Sequence, residues 1–301
     1  MTIDGLQLGV PSPGGKSLEY VYDVHKQDDL LTTGICSREY FPYNLEKEVL
    51  PTLRKSINPN EYNEAFWSCH EMALWGIANI RYQHPGCRTA IALGKRGDVD
   101  HSLIVLWNGS GDDWVYYDSA AEDPGRPILT DDDFKATKIV NFPPAGIGSK
   151  SVGVPGFEKF QKKNTGFLVL NPDYSVDALA GVTKDLNALS DQIASDIKNK
   201  KNFPTPAGVT EAIFKKHFVV HDRVLLECMK LRKKYRDTKF PIGMAFGKLA
   251  DKKDAKSVKT LDYATLAYWD GPNKSPIYWG LVVKDLKDRK NLDFEPRVVI
   301  V

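Results

Sequence analysis

Residues 65–80 read AFWSCHEMALWGIANI, and this stretch fixes a helix start closely. Ser68 and Glu71 stand three positions apart, the spacing of a capping box, in which each side chain meets a backbone N–H of the other. Met72, Leu74, Trp75, Ile77 and Ile80 follow as an apolar run. The pattern predicts a helix over 68–82 with Ser68 as its N-cap. Cys69 is then the first helical residue. A thiol there sits against the positive end of the helix dipole, which favours the thiolate, the nucleophilic form. The amides freed by the same helix start offer an oxyanion site beside the sulfur.

Three short strands follow. TAIAL (89–93), HSLIVLW (101–107) and DWVYYD (113–118) are β-branched or aromatic, and GKRGDVD and NGSGD turns separate them. His101 opens the second strand and Asp118 closes the third. In an antiparallel hairpin the start of one strand lies beside the end of the next, so the two are expected close together. A thiolate nucleophile needs a base, and the base needs an orienting group. Cys69, His101 and Asp118 are the candidate catalytic residues. His70 is nearer to Cys69 in sequence, but adjacent helical residues point about 100° apart, so it is a poor base for that thiol. Tyr62, Asn63 and Trp67 are weaker candidates for an oxyanion donor, and Trp67 reads more simply as a core aromatic.

The order Cys at a helix start, His at a strand start and Asp at the next strand end resembles the papain-like and transglutaminase-like cysteine enzymes. The residues that carry it are Cys69 in FWSCHEMALW, His101 in GDVDHSLIVLW and Asp118 in DDWVYYDSAAE. It spans roughly residues 60–125. The resemblance implies an α+β fold whose core is a Cys-bearing helix packed on an antiparallel sheet that carries the His and the Asp. It also implies acyl transfer through a thioester, without cofactor or metal. Arylamine N-acetyltransferases are similar in triad order and length, but the chain has Ala65-Phe66-Trp67 where they carry Arg-Gly-Gly.

The rest of the 301 residues bounds the setting. At 42% hydrophobic and 27% charged the chain is globular in composition. Four cysteines (Cys36, Cys69, Cys87 and Cys228) are too few and too scattered for a disulfide framework. No apolar run is long enough for a transmembrane segment. The N-terminus lacks the pattern of a signal peptide, so the default compartment is the cytoplasm, although leaderless secretion leaves no such mark.

The net charge of +2 hides an asymmetry, −7 over residues 1–150 and +9 over 151–301. The Pro/Gly/Ser-rich stretch 141–156 is the best boundary, giving a catalytic region 1–145 and a basic region 157–301. NFPTPAG (202–208) divides helical patterns at 183–200 and 208–236, and strands are expected at 263–269, 277–284 and 297–301. Helices then strands in each half argue for α+β. The 208–236 helix carries Lys215, Lys216, Arg232, Lys233, Lys234 and Arg236. It reads first as a packed helix with a solvated cationic end, and otherwise as a surface for an anionic partner. Nucleic acid is not the expected partner.

Other chemistries have less support. His84-Pro85-Gly86-Cys87 with Cys69 and His70 lacks the paired spacing of a structural zinc site. His217 and His221 stand i,i+4 without the Glu of an HExxH motif. Asp98/Asp100 and Asp131–Asp133 read as solvated loops, and no phosphate-binding glycine motif or serine elbow is present. The expected function is therefore cysteine-nucleophile acyl transfer on amide bonds of a protein or peptide substrate: peptidase, glutamine deamidase or transglutaminase. A basic accessory region would suit a secreted effector or toxin. The alternatives are an acyl-CoA-dependent N-acyltransferase on the same triad and a non-enzymatic interaction protein.

Overall fold

The computed structural model describes residues 43–62, 67–107, 114–121, 127–130, 132–142, 204–218, 220–235, 242–251, 259–268, 277–279 and 294–300. It also describes the strand residues 7–11 and 17–19, helical residues 184–189 and a few positions around them. Cys36, Asn63, Asp131, the turn at 108–113, most of the expected boundary at 141–156 and Arg236 lie outside the described residues.

Strands β1 (Gln7–Pro11) and β2 (Ser17–Glu19) form an antiparallel pair. A π turn at Leu45–Val49 runs into α1 (Leu50–Ser56). Pro51 sits in the first turn of α1, where the helical run changes from the π turn to the α-helix. Helix α2 (Cys69–Gln83) follows. Strands β3 (Thr89–Arg96), β4 (Val99–Trp107), β5 (Trp114–Tyr117), β6 (Ile128–Leu129) and β7 (Lys135–Phe142) form a five-stranded sheet in the order β6-β5-β4-β3-β7. All its pairings are antiparallel.

The second half supplies α3 (Glu211–His217) and α4 (Val220–Lys234). The single helix expected over 208–236 is therefore two. Phe218 takes an extended conformation as the C-cap of α3. Its ring stacks on Phe214 at 4.7 Å and meets Tyr82 edge-on at 5.7 Å, so burial of the two aromatics favours the break. Strands β8 (Ile242–Asp251), β9 (Lys259–Tyr268), β10 (Ile277–Trp279) and β11 (Phe294–Ile300) form a four-stranded antiparallel sheet, order β10-β9-β8-β11.

The chain is thus α+β, with helices packed on antiparallel sheets. Its main core draws on both halves. Leu53, Leu74, Ile77 and Ile104 share one buried cluster with Val224, Met229, Met244 and Leu266. A second cluster of Ala90, Leu103, Val105, Trp107, Tyr116 and Phe134 involves alternate residues of β3, β4 and β5, so this sheet has apolar groups on both faces. No described helix is long and apolar enough to cross a membrane.

Candidate active site

Helix α2 begins where the capping box places it. Glu71 Oε2 accepts the Ser68 N–H at 3.0 Å and also the Ser68 hydroxyl. Cys69 is the first residue of the helix and is partly exposed, whereas Cys87 and Cys228 are buried. Burial pushes each of those two thiols up to about 12, so they are held neutral. Cys69 is the one described cysteine at a helix start.

His101 comes from the start of β4. Its turn is tighter than the GKRGDVD stretch suggests: β3 runs to Arg96 and β4 begins at Val99, leaving a two-residue connection of Gly97 and Asp98. Gly97 has φ +61°, a conformation that favours glycine in such a turn. Opposite His101 on β3 stands Gly94. A side chain there would collide with the Lys135 carbonyl of β7, which passes directly over it.

Asp118 follows β5 by one residue. The Ile104↔Tyr117 pairing puts it beside the start of β4, two residues along from direct opposition to His101. The carboxylate is buried and contacted on both oxygens. Oδ1 stands 3.0 Å from His101 Nε2 and accepts the Ala120 N–H at 2.9 Å. Oδ2 accepts from Arg96 Nη1 at 2.9 Å. The Asp118 N–H donates to the Pro127 carbonyl at 2.7 Å, tying this corner to the entry of β6.

Cys69 lies near enough for its thiol and its charge to act on the His101 imidazole. Burial alone would push this imidazole down. The nearby Asp118 carboxylate and Cys69 thiol, with the negative charge of each, outweigh burial and raise it to about 9. Asp118 is thus in contact with His101, and Cys69 acts on the same ring. Protonated His101 is favoured by the charges around it.

His70 lies elsewhere, as its position on the helix demands. It is buried, and burial pushes it down to about 4, keeping it neutral. Neither ring nitrogen has a hydrogen-bond partner among the described residues. Trp67 is core, and Tyr62 is exposed. His84 Nε2 meets Thr52 Oγ1 at 2.7 Å, and the Cys87 thiol faces the Arg88 carbonyl. Because the helix breaks at Phe218, His217 and His221 stand on separate helices, which removes the i,i+4 argument for them as a metal pair. Among the described residues no three His, Cys, Asp or Glu groups are placed to share a metal ion. Asp133 accepts from both the N–H and hydroxyl of Thr130, and Asp100 lies 3.9 Å from Lys95.

Comparison with protein families, with curated proteins and with solved structures finds no match. The site therefore stands on its own geometry.

Arg96 and Glu71 are the site residues whose roles the sequence did not reveal. Arg96 was hidden in a stretch that reads as turn. Its signal was parity: two residues after Gly94, it lies on the same face of β3 as the position opposite His101. Glu71 was legible as a cap, but its second partner was not. Oε1 accepts from Arg232 Nη2 of α4, a residue 161 positions away. Burial would raise this carboxyl. Arg232 foremost, with His70 and the Ser68 hydrogen bond, instead holds it below its ordinary value.

Proposed function

We propose that this chain is a cysteine-nucleophile acyl-transfer enzyme acting on amide bonds of protein or peptide substrates, with a core similar to that of the papain-like and transglutaminase-like enzymes. One observation carries the reading. His101 stands 3.0 Å from a buried carboxylate, and its imidazole is raised by that group and by a partly exposed thiol at a helix N-terminus.

The chemistry follows from the placement. His101 takes the Cys69 proton, and the thiolate adds to the amide carbonyl carbon. Amides of the first turn of α2 are near enough in the chain to receive the oxyanion. The C–N bond then breaks, the amine leaves with the proton from His101, and a thioester remains on Cys69. Water or a second amine adds to the thioester as His101 takes its proton, the C–S bond breaks, and the thiolate returns beside protonated His101. Asp118 orients the ring throughout and stabilises its charged form. The acceptor sets the activity: water on a peptide bond gives a peptidase, water on a glutamine side chain a deamidase, an amine a transglutaminase.

The test is to incubate the full chain with a glutamine-containing peptide and a fluorescent primary amine. Ammonia release, peptide cleavage and amine incorporation are followed together, with intact-mass detection of an acyl adduct on Cys69. At least one activity is expected in the native chain and none in Cys69→Ser or His101→Ala. Equal turnover in native and Cys69→Ser protein, or no turnover and no adduct across a broad peptide library, would overturn the proposal.

A further inference from the structure

Helices α2 and α4 lie side by side in opposite directions, tied at both ends. At one end Arg81 Nε meets Asp222 Oδ1 at 2.7 Å, with both side chains buried, and Arg81 also donates to the Cys87 carbonyl. At the other end, next to Cys69, Arg232 pairs with Glu71 and donates its second Nη to the Ile242 carbonyl at 3.4 Å. Lys233 continues the contact: its Nζ lies 2.8 Å from Glu61 Oε2 and 5.0 Å from the centre of the Trp75 ring. Lys234 pairs with Asp185. The last turn of α4 is therefore ion-paired, and its first two cations hold the start of α2 and the segment leading to it.

We propose that Arg232 is a positioning residue for Cys69: it holds and neutralises the Glu71 carboxylate that caps the start of the nucleophile helix. The inference rests on the reading of Cys69 as nucleophile. Glu71 has two opposed effects there. Its carboxylate fixes the helix start through Ser68. It is also a largely buried negative charge two residues from the thiol, where it opposes formation of a second one. Arg232 removes the conflict. Its planar fork satisfies Glu71 Oε1 and leaves Oε2 for the cap, which a point-charged ammonium matches less well. The charged and titratable groups that bear on this end of α2 include His70 and Glu71 on α2, His101 on β4, Asp118 after β5 with its partner Arg96 on β3, and Arg232 on α4.

The test is the pH dependence of iodoacetamide labelling at Cys69, located by mass spectrometry, with circular dichroism as a check on folding. In Arg232→Gln the midpoint moves up by about half to one pH unit, so labelling below it slows by roughly 3–10-fold. In Glu71→Gln, which keeps the capping hydrogen bond, Arg232 loses its counter-charge and the midpoint moves down. The double variant returns to near the native midpoint. A purely structural tie would not move the two single variants in opposite directions. Coincident profiles for native, Arg232→Gln and Glu71→Gln would overturn the inference, as would a double variant as impaired as Arg232→Gln. If Arg232→Gln fails to fold, the downward shift in Glu71→Gln decides: its absence overturns the proposal. A native profile that His101→Ala leaves unchanged would instead remove the nucleophile reading, and this inference with it.

Discussion

Asp118 is shared between His101 and Arg96: Oδ1 stands 3.0 Å from His101 Nε2, and Oδ2 accepts from Arg96 Nη1 at 2.9 Å. Asp118→Asn keeps the shape of the group and removes its charge. The imidazole then loses one of the two partners that raise it to about 9. The His101 midpoint should move down towards the ordinary histidine range near about 6.5. An NMR titration of the His101 ring over pH 5–10 checks this, and an unmoved midpoint contradicts it.

Arg96 acts on the same carboxylate from the solvent side, with its side chain about half exposed. Arg96→Ala should have a smaller effect than Asp118→Asn. Solvent screens the pair, so the expected loss of stability is below about 1 kcal/mol. The labelling rate should fall roughly threefold as Asp118 loses a restraint. Urea unfolding and iodoacetamide labelling at Cys69 measure the two effects, and a tenfold or larger rate loss would mean that Arg96 does more than restrain Asp118.

Gly94 lies opposite His101, and a Cβ there would collide with the Lys135 carbonyl oxygen and stand 2.8 Å from Ala136 Cα. Both are backbone atoms, so strand β7 must move. Gly94→Ala should destabilise the chain by about 2–4 kcal/mol, the range of severe overpacking. Chemical denaturation tests it, and a neutral result would show that β7 is free to shift.

His70 and His101 titrate in opposite senses. His70 is held neutral, down at about 4, by burial. Its neutral form contributes stability fully above the unfolded value of about 6.5, and this is lost as pH falls through that window towards 4. The full loss is roughly 3 kcal/mol. His101 is raised, to about 9. Its contribution is full below about 6.5 and is lost as pH rises through the folded value. Unfolding midpoints across pH should therefore flatten on the acid side in His70→Leu and on the alkaline side in His101→Ala. A native acid limb retained in His70→Leu would place its origin elsewhere.

Local signals carried much of this site. The capping box predicted a helix start that the structure places at Cys69, because a cap is decided by residues three apart. The strands bearing His101 and Asp118 were legible because apolar and aromatic runs ended at clear turn residues. Strand β8 was not expected: its glycines and Lys248 interrupt the alternation, and pairing with β9 and β11 supplies what the local pattern lacks. The break at Phe218 has no Gly or Pro to announce it and follows from aromatic packing on Tyr82. Arg232 read as part of a cationic helix end. That it meets Glu71 is a fact of how α2 and α4 pack, and no spacing within either helix encodes it.

The most direct measurement is the rate of iodoacetamide labelling at Cys69 against pH in the native chain and in His101→Ala. The native chain should label fast well below pH ~8.5, where an ordinary cysteine thiol ionises, and the fast phase should vanish in His101→Ala. Slow labelling with an ordinary thiol profile in both proteins would contradict a Cys69–His101 ion pair and the acyl-transfer chemistry proposed on it.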